Sequence, residues 1–274
     1  MLDVVVAGLV AEWTRKVLVA PLDTLTVRLQ VERASGRKRV RNPLAEDAYA
    51  VVRQLRQPAG LYQGLGVGLV GAIPTALVYM PCYELCATLL RWSGIPAQLA
   101  AVCTGIMCSV VRVPTAVVKS RLQCGAGSAR QAVSEALAVG WIGLYASWRA
   151  TCVLDVTYAV VQFSALEQLR AFSTLEDRLT LIGLLTGVVT AVVTEPLDVV
   201  ATRLRVQRRG GHAYTGLVDG LRSIARDEGV LALWRGLLPR LVLKAVGSLI
   251  WYPVYVQVRR AVASALGGSA VWEV

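Results

Sequence analysis

The 274-residue chain is 55% hydrophobic and only 17% charged, and its mean hydropathy of +0.54 disfavours a soluble helical-repeat protein. Its formal net charge is +11 at pH 7. The basic residues lie beside apolar segments and no nucleic-acid-binding motif accompanies them. We therefore exclude nucleic acid as a partner and expect contact with anionic membrane lipid.

Six apolar segments reach the length of roughly 20 residues that a membrane-spanning helix needs. In chain order they cover 2–21, 65–90, 97–114, 147–170, 179–196 and 236–262. Several carry charges, among them Glu12, Asp155 and Lys244, and such charges usually face a bundle interior or a water-filled cavity. For Arg15 and Lys16 an alternative is that the long side chains snorkel to the membrane interface. The pattern predicts an all-α membrane protein with six transmembrane helices.

Residues that build metal or catalytic centres are sparse. The one histidine, His212, lies in a glycine-containing connector, and the six cysteines show no CxxC spacing. Cys82 and Cys86 are one helical turn apart, but two thiols without neighbouring ligands make a weak metal site. We expect no metal, no cofactor and no enzymatic activity.

A proline followed by a basic turn recurs three times along the chain. The copies are Pro21-Leu22-Asp23…Arg28, Pro114…Lys119-Ser120-Arg121 and Pro196-Leu197-Asp198…Arg203. The prolines are spaced 93 and 82 residues apart, which suits a unit of two long helices and a connector. The third connector contains a helical pattern at Leu217–Asp227 and then Glu228-Gly229…Trp234-Arg235-Gly236. We predict three tandem repeats, which cover residues 1–93, 94–173 and 174–274.

These motifs resemble the threefold signature of the mitochondrial carrier family: Pro-x-[Asp/Glu]-x-x-[Lys/Arg]-x-[Lys/Arg], then [Asp/Glu]-Gly-x-x-x-x-aromatic-[Lys/Arg]-Gly. The resemblance covers almost the whole chain. It implies a pseudo-threefold barrel of six transmembrane helices, built from three helix-pair repeats with short matrix helices. It also implies a monomeric, multi-pass carrier of the mitochondrial inner membrane that exchanges small molecules and binds lipid such as cardiolipin. Access to its central cavity would alternate between two charged gates.

The matrix gate implied by the resemblance pairs the acid position of each odd-numbered span with the base position of the next. In ring order these positions hold Asp23 with Lys119, Ala116 with Ala201, and Asp198 with Thr26. We expect an ion pair between Asp23 and Lys119, and a hydrogen bond from the Thr26 hydroxyl to Asp198. Two glutamines are expected to brace this layer: Gln30 and Gln123.

The cytoplasmic gate follows the pattern aromatic-[Asp/Glu]-x-x-[Lys/Arg] on the even-numbered spans. The resemblance pairs Glu84 with Arg170 and Glu167 with Arg259, and leaves one pair without charges. In the matrix gate the two alanines fall on one pair, and in the cytoplasmic gate both missing charges fall on one pair; losing both partners of a pair costs far less than losing one. This favours working gates, although a carrier-fold receptor or scaffold that no longer transports stays open.

Substrate contacts are expected midway along the even-numbered spans, where equivalent positions hold Ala72, Asp155 and Lys244. An acid and a base on one cavity would hold a zwitterion; the alternative is that Asp155 and Lys244 pair with each other. Further candidates near this level are Tyr79, Gln162 and Trp251. Segments 112–119 and 160–167 resemble the S-adenosylmethionine carrier branch, although Leu154 stands where that branch has an arginine. The resemblance therefore implies a cationic or zwitterionic amino-acid-derived substrate, with S-adenosylmethionine as the best candidate; another small metabolite such as an amino acid or a nucleotide is the alternative.

Overall fold

The computed structural model describes residues 2–32, 42–55, 60–92, 98–125, 127–137, 144–145, 147–172, 179–207 and 214–265. The predicted repeat boundaries at 93/94 and 173/174 lie outside these ranges. The helices within them are α1 Leu2–Val31, α2 Pro43–Leu55, α3 Leu65–Trp92, α4 Gln98–Gln123, α5 Ala129–Leu137, α6 Trp148–Phe172, α7 Leu179–Val206, α8 Leu217–Asp227 and α9 Leu237–Ala265. A 3-10 helix spans Val230–Trp234.

Six long helices form a closed ring in the order α1, α3, α4, α6, α7 and α9, with α9 packed against α1. The most extensive contacts join α1 to α9, α3 to α4 and α6 to α7. The even-numbered spans are α3, α6 and α9. The first, third and fifth membrane spans are α1, α4 and α7; these odd-numbered spans also contact one another. They do so at the end beyond Pro21, Pro114 and Pro196, which we call the proline end. The predicted all-α six-helix barrel is confirmed.

The helices carry apolar side chains outward and polar ones inward. Leu18, Val70 and Leu249 are 58%, 68% and 69% exposed, whereas Thr190 and Glu195 are fully buried. Segments long and apolar enough to cross a membrane, by length and composition, are Leu65–Leu89, Val102–Gln123 and Leu185–Val206 in the described part of the chain. Buried polar groups beneath an apolar surface are typical of a protein whose solvent is lipid.

The odd-numbered spans extend further than the hydropathy pattern predicted. Their apolar segments end near the motif prolines, but α1, α4 and α7 continue to Val31, Gln123 and Val206. A proline removes one helical hydrogen bond, and the turns beyond it are held by packing. Leu25 and Leu29, for example, are completely buried.

Two of the even-numbered spans begin directly after a glycine with positive φ, 79° at Gly64 and 88° at Gly236. A Cβ atom at Gly64 would lie 3.0 Å from the carbonyl oxygen of Lys119. At Gly236 it would lie 2.9 Å from Cγ of Gln30. Positive φ and close approach both favour glycine, because other residues would be strained there. These turns therefore pack directly against the odd-numbered span of a neighbouring repeat.

Helix α2 is tied to the turn before α9 by a buried carboxylate. Asp47 is 1% exposed, and its Oδ2 accepts a 2.8 Å hydrogen bond from the backbone N–H of Gly236. Burial raises the pKa of the Asp47 carboxyl from 3.8 to about 6, outweighing the Gly236 donor and the nearby charge of Arg235. This contact joins the first repeat to the third.

Because the pKa of Asp47 is higher in the folded protein, its stabilising contribution is complete below about pH 4 and lost as pH rises through about pH 6. We expect the free energy of unfolding to fall by up to about 3 kcal/mol across this window. Asp47→Asn should remove that component of the pH dependence, whereas Glu46→Gln, at the adjacent exposed carboxyl, should retain it. Thermal unfolding of detergent-purified protein across the window measures this. Equal slopes for wild type and Asp47→Asn would contradict it.

Candidate functional site

Three arginines join the odd-numbered spans into a ring at the proline end. Each lies seven residues after a motif proline, and its Nε donates to a backbone carbonyl of the next repeat. The bonds are Arg28 to Gln123 (2.9 Å), Arg121 to Arg205 (3.2 Å) and Arg203 to Gln30 (2.9 Å). The acceptors lie in the last helical turn, where carbonyls lack intrahelical partners and a cation is favourable. The arginines therefore satisfy the helix ends and hold the repeats together.

The third arginine also binds a buried acid. Arg203 pairs with Glu228 at the end of α8, with Nη2 3.0 Å from Oε2 and side chains only 3% and 10% exposed. Arg28 has a different second contact, a 3.0 Å hydrogen bond from Nη2 to the carbonyl of Gly60. The three arginines therefore make equivalent bonds to the backbone, but the second contact of Arg203 is a buried ion pair and that of Arg28 is a hydrogen bond to a carbonyl.

Inside this ring, the structure brings Asp23 and Lys119 together. Lys119 Nζ lies 2.7 Å from Asp23 Oδ2, and Gln123 Nε2 donates to the same oxygen at 2.6 Å. The two charged side chains are 27% and 32% exposed, so the pair is worth about 1 kcal/mol. Gln123 therefore occupies the bracing position expected for it.

The expected bond from Thr26 to Asp198 is wrong. The Thr26 hydroxyl donates to the carbonyl of Leu22 on its own helix at 2.8 Å, a common use of a helical hydroxyl. Asp198 Oδ2 instead accepts a 3.0 Å hydrogen bond from Gln30 Nε2 and lies 3.6 Å from Arg240 Nη1. Gln30 contacts this layer as expected, and a residue of α9 supplies the positive charge.

The two alanines of the uncharged pair have different surroundings. Ala116 lines the central cavity, whereas Ala201 is fully buried in an apolar cluster with Leu154, Val200 and Leu204. At the position of Ala201, apolar packing takes the place of an ionic contact.

A cavity of about 640 Å³ lies between α1, α3, α4 and α9. Its charged lining consists of Glu12, Lys16, Arg112 and Lys119, and its polar and aromatic lining of Thr75, Thr115, Tyr79 and Tyr255. The excess of cations over carboxylates would attract an anionic group. Lys16 Nζ donates to the carbonyl of Gly68 at 2.8 Å, so this side chain faces the interior and does not snorkel.

The predicted alternative of an Asp155–Lys244 pair is wrong, because Asp155 forms an ion pair with Arg112. Helix α6 adjoins α4 in the ring but not α9, which explains the choice of partner. Lys244 Nζ lies 4.6 Å from the ring centroid of Tyr158, a cation–π contact. Arg112 thus brings a guanidinium to Asp155 from the neighbouring helix.

Of the other substrate candidates, Ala72 and Tyr79 line the cavity. Gln162 is exposed on α6 and is not among the lining residues, and the Trp251 side chain lies outside the described part of the structure. The sequence-based candidates omitted the cavity residues Glu12, Lys16 and Arg112. The sequence indicated these residues as charges inside apolar segments. Only the order of the helices in the ring shows which of these charges contact one another.

At the end opposite the proline end, the expected Glu84–Arg170 pair lies outside the described residues, and the expected Glu167–Arg259 pair does not form. Glu84 and Glu167 are exposed, and neither pairs with another described side chain. Arg259 lies 5.9 Å from the ring centroid of Tyr255 on its own helix, and the Arg170 side chain is outside the described part. The expected Glu167–Arg259 pair is therefore absent from this structure. The reason is that α3, α6 and α9 do not converge as the odd-numbered spans do.

Comparison with known proteins agrees with this architecture. The family profile described as "Mitochondrial carrier protein" matches residues 1–94, 95–176 and 178–265. The chain is 36% identical over 250 residues to "Probable S-adenosylmethionine carrier 2, chloroplastic" of Arabidopsis thaliana (85% of this chain, 67% of the relative). It is 32% identical to that plant's "S-adenosylmethionine carrier 1, chloroplastic/mitochondrial" (93% and 79%). It is 27% identical to the "Mitochondrial S-adenosylmethionine carrier protein" of Mus musculus (93% and 92%).

A ring of six helices around a charged cavity, closed at one end, defines a helical membrane transporter of small molecules. The chain belongs to the mitochondrial carrier family. The expected class, a multi-pass solute carrier of the mitochondrial inner membrane, is thereby confirmed.

The contact between Asp23 and Lys119 should be measurable as an energetic coupling. We expect Asp23→Asn and Lys119→Gln to be non-additive by about 0.5–1 kcal/mol, because each removes the same partly exposed ion pair. A double-mutant cycle by thermal unfolding measures this, with Asp23→Asn combined with Lys244→Gln as the uncoupled control. Additive effects in the first cycle would refute the contact.

Arg203→Gln should destabilise the protein more than Arg28→Gln. The first change leaves the buried Glu228 carboxylate without its cation, at a cost of about 3 kcal/mol or more, whereas the second removes hydrogen bonds of about 1 kcal/mol each. Thermal unfolding of both variants tests the ranking, and Glu228→Gln should partly rescue Arg203→Gln. Equal losses would show that Glu228 adds nothing.

Proposed function

We propose that this carrier transports S-adenosylmethionine, or a closely related cationic or zwitterionic amino-acid-derived metabolite, by alternating access. The observation that carries the proposal is the ion pair between Arg112 and Asp155, in which Arg112 lines the cavity. The two side chains are 44% and 26% exposed and can therefore exchange partners with a ligand. The S-adenosylmethionine carriers among the relatives support the same substrate.

An amino-acid head group matches this pair chemically. A guanidinium binds a carboxylate through two parallel hydrogen bonds, and a carboxylate binds an ammonium group. Arg112 would take the substrate carboxylate, and Asp155 the ammonium. The rings of Tyr79 and Tyr255 on the same cavity offer faces for a sulfonium or a purine. The cavity volume falls within the range of small-molecule sites.

Alternating access assigns roles to the two ends of the bundle. Asp23, Lys119, Gln123, Gln30 and Asp198 would form the gate at the proline end, which is closed here. The acids Glu84 and Glu167 would form the opposite gate with Arg170 and Arg259 when the cavity faces the other side. Support comes from the asymmetry of the structure, because only the odd-numbered spans converge.

The carrier would work as a monomer in contact with anionic lipid, cardiolipin included. A single chain closes the helical ring, because α9 packs against α1. The net charge of +11 favours an anionic membrane surface.

Uptake of radiolabelled S-adenosylmethionine into liposomes containing the purified protein tests the substrate. We expect saturable uptake, stimulated by internal S-adenosylmethionine, with basic amino acids, nucleotides and keto acids as competing candidates. Asp155→Asn and Arg112→Gln should each reduce uptake at least tenfold, because each leaves its ionic partner without a counter-charge. Asp227→Asn, at an exposed carboxyl of α8, is the matched control.

Full uptake by Asp155→Asn would remove Asp155 from the site. Transport of another compound in place of S-adenosylmethionine would redirect the assignment. The absence of uptake for every candidate would favour the receptor or scaffold interpretation.

A further inference from the structure

A second acid lies beside Asp198 in the gate layer at the proline end. Glu195 directly precedes Pro196 and is completely buried. Its Oε2 accepts a 2.6 Å hydrogen bond from Arg240 Nη1, and its Oε1 a 3.1 Å bond from Gln30 Nε2. The other end of the guanidinium, Nη2, lies 3.3 Å from the hydroxyl of Thr194. A buried carboxylate with these contacts is held firmly in place.

Two carboxylates therefore share the same donors. Gln30 Nε2 lies 3.0 Å from Asp198 Oδ2 as well as 3.1 Å from Glu195 Oε1. Arg240 Nη1 is 2.6 Å from Glu195 and 3.6 Å from Asp198. One guanidinium and one amide thus serve both acids. Without the guanidinium, two neighbouring buried acids would repel each other.

The repeat motif supplies no cation for Asp198, because Thr26 stands at the base position that pairs with Asp198. We propose that Arg240 supplies this missing gate cation from α9, and that Glu195 is the positioning residue that holds it beside Asp198. The side chain of Arg240 is 8% exposed, and its first neighbours are the two acids and Thr194.

The ion pairs of Arg240 lie within the third repeat, and this affects which contacts break when the gate opens. Glu195, Asp198 and Arg240 belong to one repeat, so their ion pairs stay intact when repeats move apart. In this layer, the described side-chain contact between the first and third repeats is the Gln30 amide. Between the first and second repeats it includes the Asp23–Lys119 ion pair. Among the described residues, separating the third repeat from the first would therefore break hydrogen bonds but no ion pair. This inference rests on the proposal that the proline end opens during transport.

Whether Arg240 compensates the charge of the two acids can be tested without substrate. Arg240→Gln should lower the Tm of the purified protein, and Glu195→Gln in the same chain should restore most of the loss by removing one of the two acids. The matched control is Arg240→Gln with Asp227→Asn, which neutralises an exposed acid of the same repeat outside the gate layer and should restore nothing. Equal recovery in both double variants, or failure of the Glu195→Gln double variant to fold, would overturn the proposal.

A structural ion pair would also pass that test, so the gate role needs its own readout. Thr26→Cys places a thiol at the 6% exposed Thr26 position of the closed end, in a background whose six native cysteines are replaced by serine or alanine. We expect a water-soluble maleimide to label the Arg240→Gln/Glu195→Gln protein in detergent about three to ten times faster than the parent. Asp198→Asn should raise labelling in the parent but add little in the double variant.

Labelling of the double variant at the parent rate would show that Arg240 and Glu195 form only a structural pair. Additive effects of Asp198→Asn would show that Arg240 does not act through Asp198. Neither readout contains a substrate, so a failure here is distinguishable from a failure of the S-adenosylmethionine assignment.

Discussion

Three hydrogen bonds from arginine to backbone carbonyls at the proline end hold the repeats in register. Arg28, Arg121 and Arg203 each donate to the last turn of the next odd-numbered span. A helix end buried without partners is costly, and a guanidinium satisfies its carbonyls while opposing the negative end of the helix dipole. The gate contacts and the cavity both depend on this ring, because it brings three helices together at one end only.

Next to this ring, the side-chain contacts differ from one repeat interface to the next. One repeat interface holds an ion pair between Asp23 and Lys119, and another holds the Gln30 amide against two carboxylates. At Ala201 an apolar cluster replaces ionic contact. Contacts of such different chemistry break at different cost. The three repeats of this carrier are thus equivalent in backbone but not in the energy of their separation.

The cavity combines fixed cations with an ion pair that a ligand can open. Lys16 and Lys119 are engaged with Gly68 and Asp23, while Arg112 meets Asp155 at its edge. Polar and charged groups inside an apolar shell are costly unless they are paired, and here most are paired. A substrate carrying both charges can replace such internal pairing without leaving a charge exposed to lipid. This supports the proposed transport of a substrate that carries both a carboxylate and a cationic group.

The sequence by itself determined the three repeats, the six long helices and the residues available to the gate layer. The resemblance to carriers placed Asp23 and Lys119 at the acid and base positions of adjacent repeats, so their meeting could be anticipated. The partners of Asp155 and Asp198 could not, because Arg112 and Arg240 stand outside the paired positions of the motif. Only the tertiary structure decided these contacts. Each depends on which helices adjoin in the ring and which face they turn inward, and local periodicity does not specify either.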